Sequence, residues 1–190
     1  MSNLAKRLFD IFAAVVGLLL LAIPFIVIVV VIRLESSGPS IYWSQRVGRY
    51  GCLFYMPKFR TMYINTPELP SDELEQPLRH ITGVGGWLRK YSVDELPQLF
   101  SVLRGDMSIV GPRPMIAQLE EFTRIRHETG VDTLRPGITG WAQINGRDNL
   151  SFEQKIAFDV EYKDQRSFLF DLKVIVKTVG YVLRAQGVWH

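Results

Sequence analysis

Two adjacent carboxylates, Asp94 and Glu95, are the residues best placed to do chemistry in this chain of 190 residues. They lie in a segment, residues 92–105, whose apolar residues recur at helical spacing and whose last residue is a glycine. Pro97 is comfortable only near the start of a helix, so the predicted helix must begin close to Asp94. The helix dipole favours carboxylates in that first turn, and taken alone they are interpreted first as a helix cap.

Several basic residues stand in rigid, turn-rich contexts that suit phosphate binding. Arg113 lies between two prolines in a Gly-Pro-Arg-Pro run, which restricts its backbone and presents the guanidinium for bidentate contact with phosphate. Lys58 and Arg60 alternate along a predicted strand and therefore point to one face. Arg135 and Arg147 flank glycine-rich turns that can bring backbone N–H groups near an anion. With a carboxylate pair, these cations favour a phosphate site that uses a hard cation such as Mg²⁺.

Other common chemistries lack their residues in this sequence. It has no Gly-x-x-x-x-Gly-Lys-Ser/Thr phosphate loop, no dinucleotide fingerprint and no Asp-x-Asp pair. One cysteine and three histidines exclude a disulfide framework and a zinc cluster, and a Ser-His-Asp triad finds no plausible placement. The net charge of +3 argues against a nucleic-acid-binding protein and suits an anionic membrane surface or a phosphate-bearing substrate.

An apolar segment near the N-terminus predicts a membrane anchor. Residues 11–32 form a block of 22 residues without a charge, long enough to cross a hydrocarbon core. Pro24 lies inside the block and is expected to kink or break its helix. Because Lys6 and Arg7 precede the block and Arg33 follows it, the positive-inside rule gives no direction. The residues alone leave two alternatives, a spanning helix and a re-entrant helix that returns to the same face.

Beyond the apolar block, the pattern predicts a small mixed domain. Residues 40–47 and 53–62 predict two strands joined by a glycine turn, and residues 66–77 predict a surface loop. Residues 78–91 and 168–189 predict amphipathic helices with basic faces. Such helices either belong to the core with solvated charges or lie on lipid headgroups. The predicted fold class is α+β, with a membrane helix followed by short strands and amphipathic helices.

The motifs resemble those of bacterial sugar transferases, the monotopic phosphoglycosyl transferases that start glycan assembly on polyprenol phosphate. The resemblance covers nearly the whole chain and includes the basic N-terminus with its apolar block. Six further motifs carry it: Lys-Phe-Arg-Thr-Met (58–62), Ser-Val-Asp-Glu-Leu-Pro-Gln-Leu-Phe (92–100), Arg-Gly-Asp-Met-Ser (104–108), Gly-Pro-Arg-Pro (111–114), Arg-Pro-Gly-Ile-Thr-Gly (135–140) and Asn-Gly-Arg (145–147).

The resemblance implies transfer of a sugar-1-phosphate from a UDP-sugar to polyprenol (undecaprenyl) phosphate, with release of UMP. It implies a ping-pong mechanism in which Asp94 attacks the β-phosphorus and forms an aspartyl-phosphate intermediate. Three roles stay open for Glu95: it completes a Mg²⁺ site with Asp94, orients Asp94, or handles a proton of the acceptor. The implied substrate-binding residues are Lys58, Arg60, Arg89, Arg113, Arg135 and Arg147.

The resemblance also implies a re-entrant anchor in which residues 1–37 enter and leave the membrane on the cytoplasmic side. Residues 38–190 would form a catalytic domain on that face of the bacterial inner (plasma) membrane. The implied partners are the UDP-sugar, the polyprenol phosphate and membrane lipids, but not nucleic acid. A homo-oligomer and contacts with downstream glycosyltransferases are left open. Asp159 and Asp171 match acidic positions of the family and are expected to form supporting ion pairs.

Two other functions fit parts of the sequence. A non-catalytic membrane scaffold would recruit glycan-assembly enzymes through its basic face, and a lipid-phosphate phosphatase would use similar metal-assisted carboxylate chemistry. The presence of Asp94, Glu95 and Arg113 argues against the scaffold. Release of UMP that depends on a UDP-sugar separates all three functions.

Overall fold

A helix of 33 residues, α1 (Asn3–Glu35), begins the described part of the chain. Among the described residues it is the one helix long and apolar enough to cross a membrane, by length and composition. The predicted break at Pro24 is not seen, because α1 continues through this residue. A proline removes one backbone hydrogen bond from a helix. Packing of Phe25 and Ile28 against the domain holds the part of α1 that follows Pro24 in place despite that loss. The computed structural model describes residues 3–67, 77–116, 120–146 and 149–184.

The predicted strand pair is confirmed as an antiparallel hairpin of β1 (Ile41–Val47) and β2 (Leu53–Phe59). Its turn contains Tyr50 and Gly51, both with positive φ, and glycine accepts that conformation without steric cost. A third strand, β4 (Met115–Ile116), pairs antiparallel with the other edge of β1. β1 is therefore the central strand of a three-stranded sheet with the order β2-β1-β4.

A second, two-stranded sheet pairs β3 (Ser108–Val110) in parallel with β5 (Gly137–Thr139). The strands approach very closely after β3, because a Cβ added to Gly137 would lie 2.1 Å from the amide nitrogen of Gly111. Gly137 in turn donates its N–H to the carbonyl of Pro112 at 2.8 Å. This sheet fixes the start of the Gly-Pro-Arg-Pro segment.

The single helix predicted over residues 78–91 is wrong, because the chain forms two helices there. Thr82 accepts a hydrogen bond from Gly85 N and begins a new helix, while Ile81 forms a β-bridge with Met62. The helices between residues 120 and 165 were not predicted. The predicted loop falls mostly on residues 68–76, which lie outside the described residues. The helices after α1 are α2 (Pro77–His80), α3 (Gly83–Lys90), α4 (Leu99–Arg104), α5 (Glu120–Glu128), α6 (Trp141–Ile144), α7 (Phe152–Gln165) and α8 (Phe168–Arg184).

The helix α8 confirms the helix predicted from residue 168 as far as Arg184, and residues 185–190 lie outside the described part. Val174 on one side of α8 is fully buried, whereas Leu169 and Val176 are 74% and 64% exposed. One face of α8 is thus a core face and another is apolar and uncovered. The core alternative is confirmed for the Val174 face, and contact of the exposed face with lipid headgroups stays a prediction.

The long helix α1 is part of the core on both sides of its proline. Ala14 packs with Phe54, Met56 and neighbouring apolar side chains, and Ile32 packs with Phe59 and Leu88. At the N-terminal end the contacts are polar and buried, since α1 carboxylate and ammonium groups meet α8 and β3. A single face of α1 consequently contacts the domain along nearly its whole length.

Candidate active site

Asp94 and Glu95 lie in a 3₁₀ helix, Val93–Gln98, that leads directly into α4. The predicted helix start near Asp94 is confirmed, although its first turn is 3₁₀ and not α. Pro97 fits this first turn, because its missing N–H would have no partner at the start of a helix. Both carboxylates are buried, with 8% and 9% of their surface exposed. Burial of two adjacent carboxylates requires cations nearby.

Glu95 holds two of the predicted phosphate-binding cations. Lys58 near the end of β2 places its Nζ 2.8 Å from Glu95 Oε1, and Arg113 places a guanidinium nitrogen 3.6 Å from the same oxygen. Lys58 is largely buried, while the Arg113 side chain is 42% exposed. Arg113 is therefore the member of the group that a ligand arriving from solvent meets most easily.

Burial and charge act on Asp94 in opposite directions. The pKa of Asp94 is raised to about 6, mainly by loss of hydration and also by the neighbouring carboxylate of Glu95. Lys58, Arg89 and Arg113 act in the opposite direction and lower it. Asp94 is therefore mostly ionised at neutral pH but poorly solvated, which suits a carboxylate nucleophile.

Arg89, in the last turn of α3, approaches Asp94 from another side. Its Nε donates to Thr61 Oγ1 at 2.9 Å, and burial lowers the pKa of Arg89 while Asp94 raises it. Helix α3 can lie this close to the end of β2 because residue 85 is a glycine, since a Cβ there would lie 2.1 Å from the carbonyl oxygen of Thr61. Gly85 thus allows the guanidinium of Arg89 to lie near the carboxylate of Asp94.

Arg46 belongs to the same group, although the sequence analysis did not single it out. Burial lowers the pKa of Arg46, the charge of Arg113 lowers it further, and Glu95 raises it. Its Nε donates to Ser44 Oγ at 3.0 Å. In the β1–β2 register Tyr42 lies opposite Lys58, so Arg46, four residues further along β1, faces the same side as that lysine. Alternation along the hairpin would have identified Arg46 if the register had been known.

A second residue outside the sequence analysis, Arg126 of α5, supports Arg113 from behind. Arg126 donates to the backbone carbonyl of Arg113 at 2.9 Å and forms an ion pair with Asp159 at 2.6 Å. The expected ion pair of Asp159 is thereby confirmed. That of Asp171 is confirmed as well, with Lys6 Nζ at 3.0 Å.

The other predicted site residues lie apart from the Asp94 group. Arg60 is buried, and its guanidinium donates to the carbonyls of Ser36 and Ser37 at the end of α1. The predicted alternation with Lys58 does not extend to it, because β2 ends at Phe59. Arg135 donates to the carbonyl of Gly105 at 2.8 Å. Arg147 lies outside the described residues.

The Asp94 cluster, which we define as Arg46, Lys58, Arg89, Asp94, Glu95 and Arg113, has four cations and two carboxylates. Its formal charge of +2 suits an anion such as a diphosphate. Within the described residues no group of three or more His, Cys, Asp or Glu side chains could hold a metal ion. Mg²⁺ in phosphate-transfer sites commonly uses one or two carboxylates together with substrate phosphates, so the donor set of Asp94 and Glu95 fits a shared Mg²⁺.

Comparison with known proteins shows which family the chain matches. The family model described as "Bacterial sugar transferase" matches residues 1–185. The "Uncharacterized sugar transferase EpsL" of Bacillus subtilis strain 168 is 41% identical over 187 residues, which cover 96% of this chain and 89% of that protein.

Two longer relatives have names that state an activity. The "Undecaprenyl-phosphate glucose phosphotransferase" of Komagataeibacter xylinus is 40% identical over 93% of this chain. The "Undecaprenyl-phosphate galactose phosphotransferase" of Salmonella typhimurium strain LT2 is 36% identical over 99% of it. The matched region spans 35% and 42% of these two relatives' own lengths.

Proposed function

The chain belongs to the bacterial sugar transferase family, and on that premise we propose that it transfers a sugar-1-phosphate from a UDP-sugar to polyprenol phosphate. The observation that carries the proposal is the buried, ionisable carboxylate of Asp94 beside Lys58, Arg89 and Arg113. The names of the glucose and galactose phosphotransferases support undecaprenyl phosphate as the acceptor.

In the first step, an oxygen of the Asp94 carboxylate attacks the β-phosphorus of the UDP-sugar. The new bond joins this oxygen to phosphorus, the bond from the β-phosphorus to the bridging oxygen breaks, and UMP leaves with that oxygen and its electron pair. The product on the protein is an aspartyl-phosphate-sugar. An ionised carboxylate needs no general base for this attack, which the pKa of about 6 supports at neutral pH.

In the second step, an oxygen of polyprenol phosphate attacks the same phosphorus. The bond to Asp94 breaks, the carboxylate is restored, and the sugar leaves as a polyprenol diphosphate sugar. In a direct transfer, the diphosphate of the donor and the phosphate of the acceptor, both dianionic, would have to occupy the cluster together. With two steps, only one of these two substrates occupies the cluster at a time. The sequence of steps is ping-pong, because UMP departs before the acceptor reacts.

The cations of the cluster neutralise the phosphates during both steps. Arg113, half-exposed and held at its backbone by Arg126, is suited to bidentate contact with phosphate oxygens. Lys58 and Arg89 act on Asp94 at the same time, which keeps the nucleophile ionised. We assign Glu95 to positioning, since one of its oxygens contacts both Lys58 and Arg113.

We further propose that Asp94 and Glu95 hold Mg²⁺ together with the donor diphosphate. A bound Mg²⁺ would neutralise diphosphate charge and stabilise the leaving group. The carboxylate of Asp94 would then be a ligand of the ion in the donor complex, and Glu95 would keep its contact with Lys58.

We propose a monotopic topology, with both ends of α1 on the cytoplasmic face of the bacterial inner membrane. Lys6 near one end contacts Asp171 of α8, while Ile32 near the other end packs with Phe59 and Leu88. A helix that crossed the membrane would carry one of these ends away from the domain. The outward face of α1 is apolar, as re-entry into lipid requires.

The proposed activity is tested by UMP release from a panel of UDP-sugars with polyprenol phosphate present. Transfer predicts release that depends on one of the sugars and yields a lipid-linked sugar phosphate in equal amount. A scaffold predicts no release from any donor. A lipid-phosphate phosphatase predicts inorganic phosphate from polyprenol phosphate with no dependence on a UDP-sugar. Either of these last results would overturn the proposal.

A further inference from the structure

A second group of cations lies at the N-terminal end of α1, away from the Asp94 cluster. A small cavity of about 30 Å³ opens there. We define it as the N-terminal basic pocket by six of its lining residues: Lys6, Arg49, Ser108, Arg135, Tyr162 and Arg166. We propose that this pocket binds the headgroup phosphate of an anionic membrane phospholipid.

Three arginines of the pocket donate hydrogen bonds to neutral acceptors. Arg49 donates to the carbonyl of Thr133 at 2.7 Å, and Arg135 donates to that of Gly105 at 2.8 Å. Arg166 donates to the side-chain oxygen of Asn3 at 3.0 Å. These contacts orient the guanidinium groups without neutralising them. Within the described part of the chain, the ion pairs include none of the three arginines.

Two carboxylates, Asp10 and Asp171, lie near these arginines, and Asp10 also lines the pocket. The ammonium of Lys6 lies 3.0 Å from each of them, and all three residues are buried. Lys6 and the three arginines together with the two carboxylates carry a formal charge of +2. Partial burial lowers the pKa of Arg135 and the charges of Arg49 and Arg7 lower it further, whereas Asp10 and Tyr50 raise it. The guanidinium groups therefore repel one another, and a bound anion would relieve that repulsion.

The size and position of the pocket point to a lipid phosphate. A cavity of about 30 Å³ has no room for a nucleoside or a sugar ring, so most of the ligand must stay outside. Leu4 and Leu8 lie on the face of α1 opposite Lys6 and are 70% and 60% exposed, and Leu169 at the start of α8 is 74% exposed. The same end of the molecule thus carries exposed apolar side chains and a cationic pocket, as acyl chains and a headgroup require.

The pocket shares no lining residue with the Asp94 cluster, and the inference does not rest on the proposed function. The two groups are neighbours along the chain, because Arg49 of the pocket follows Arg46 of the cluster by three residues, a span of at most about 11 Å.

The test is a titration of the full chain in neutral detergent micelles with short-chain phosphatidylglycerol, followed by thermal unfolding. Parallel titrations use short-chain phosphatidylcholine and inorganic phosphate. The variant Arg49→Gln/Arg166→Gln removes two charges of the pocket, and Arg166→Gln alone serves if the double variant does not fold. The matched control is Arg124→Gln, which removes an exposed arginine that pairs with exposed Glu128.

Phosphatidylglycerol should raise the Tm of the unmodified chain and of Arg124→Gln with the same apparent Kd. That Kd should rise at least about tenfold in the double variant, because two charge-assisted contacts are lost, and by less in Arg166→Gln. Equal Kd values in all four proteins would overturn the proposal. An equal, pocket-dependent shift with inorganic phosphate would overturn the lipid as the source, and an equal shift with phosphatidylcholine would overturn the need for net negative charge.

Discussion

At the scale of the residue, Asp94 is unusual because its charge is both needed for the proposed chemistry and costly to bury. Its pKa is raised from an ordinary 3.8 to about 6 despite three nearby cations. Loss of hydration therefore outweighs the favourable charges around it. Groups in active sites often lower the stability of the fold in this way, because function requires them there.

The first prediction concerns stability, with Asp94→Asn. The folded state binds the Asp94 proton more tightly than the unfolded state, so stability is lost as pH rises through the window between about 4 and 6. Above that window the buried charge costs at most about 3 kcal/mol. Asp94→Asn should abolish turnover, leave the fold intact and raise the Tm at pH 7.5, with little change at pH 4.

The control for this experiment is Glu128→Gln, which changes an exposed carboxylate. It should leave both activity and Tm close to those of the unmodified chain. A folded Asp94→Asn protein whose Tm falls by several degrees at pH 7.5 would show that the cations outweigh the loss of hydration. Near-normal transfer by that protein would refute Asp94 as the nucleophile.

The second prediction concerns Arg113→Lys. Lysine keeps the charge but loses the planar fork, so bidentate phosphate contact is lost. We expect kcat/KM to fall at least about tenfold, which corresponds to about 1.4 kcal/mol of transition-state binding. Steady-state kinetics with the preferred donor measures it, and Arg124→Lys on the exposed face of α5 is the matched control. Unchanged kinetics would assign Arg113 to structure alone.

The site residues that can be predicted from sequence are those with a distinctive local context. Asp94 and Glu95 stand at a helix start beside a proline, and Arg113 stands between prolines. Arg46 was missed because its neighbours come from other segments and depend on the hairpin register. Arg60 was placed with Lys58 by alternation, which ends with the strand, and its guanidinium holds the end of α1 instead.

At the scale of the element, the segment that carries Arg113 is held between two supports. The β3–β5 pair fixes its start through the bond from Gly137 to Pro112 O. Arg126 of α5 holds the Arg113 carbonyl and is itself paired with Asp159 of α7. Neither support is visible in local sequence, since each joins residues that are far apart in the chain.

The third prediction follows from this support, with Asp159→Asn. Burial raises the pKa of Asp159, and the charge of Arg126 lowers it. The carboxylate of Asp159 is therefore stabilised by Arg126, and each buried charge needs the other. Removing the charge leaves Arg126 buried without its ion-pair partner, and we expect a loss of about 3 kcal/mol in unfolding free energy. Because Arg113 is then held less firmly, the KM for the donor should rise more than kcat falls.

Denaturant unfolding and donor kinetics measure the two effects. Asp164→Asn, which changes an exposed carboxylate on the same helix, is the control and should change neither quantity. Loss of stability without any change in donor KM would restrict Asp159 to a structural role. An unchanged stability would contradict the buried pair itself.

The secondary structure was predictable where local pattern and tertiary contacts agree. The β1–β2 hairpin and the start of the 3₁₀ helix at Val93–Gln98 match their predicted positions. The helix predicted over residues 78–91 fails because Ile81 pairs with Met62, a contact that periodicity cannot reveal. Hydrophobic spacing alone does not show where a strand contact interrupts a helix.

At the scale of the whole molecule, α1 is both the apolar anchor and a core element. Asp10 accepts from the Ser108 hydroxyl at 2.8 Å in the N-terminal half, and Phe25 contacts Phe59 at 5.0 Å between ring centres in the C-terminal half. The family resemblance implied a re-entrant helix broken at Pro24. Instead, α1 continues through that residue, and both of its halves contact the same domain.

The fourth prediction tests this topology in cells. A cysteine placed at Ser2, in a Cys52→Ser background, should resist a thiol reagent that cannot cross the membrane, applied to cells stripped of any outer barrier. Lysis should make it reactive. A cysteine placed at His190 is the internal comparison and should behave identically. Labelling at residue 2 in intact cells, with residue 190 protected, would establish a spanning helix and refute the monotopic proposal.

The measurement that tests the central claim most directly is the capture of the covalent intermediate. Purified chain is mixed with its preferred UDP-sugar in the absence of polyprenol phosphate, and UMP and intact protein mass are followed together. The mechanism predicts a burst of UMP equal to the protein present, with a mass gain of one sugar phosphate on the peptide that contains Asp94. Polyprenol phosphate should remove that mass, and Asp94→Asn should show neither burst nor adduct. Rapid transfer with no UMP until the acceptor is added, or an adduct that persists in Asp94→Asn, would contradict the account.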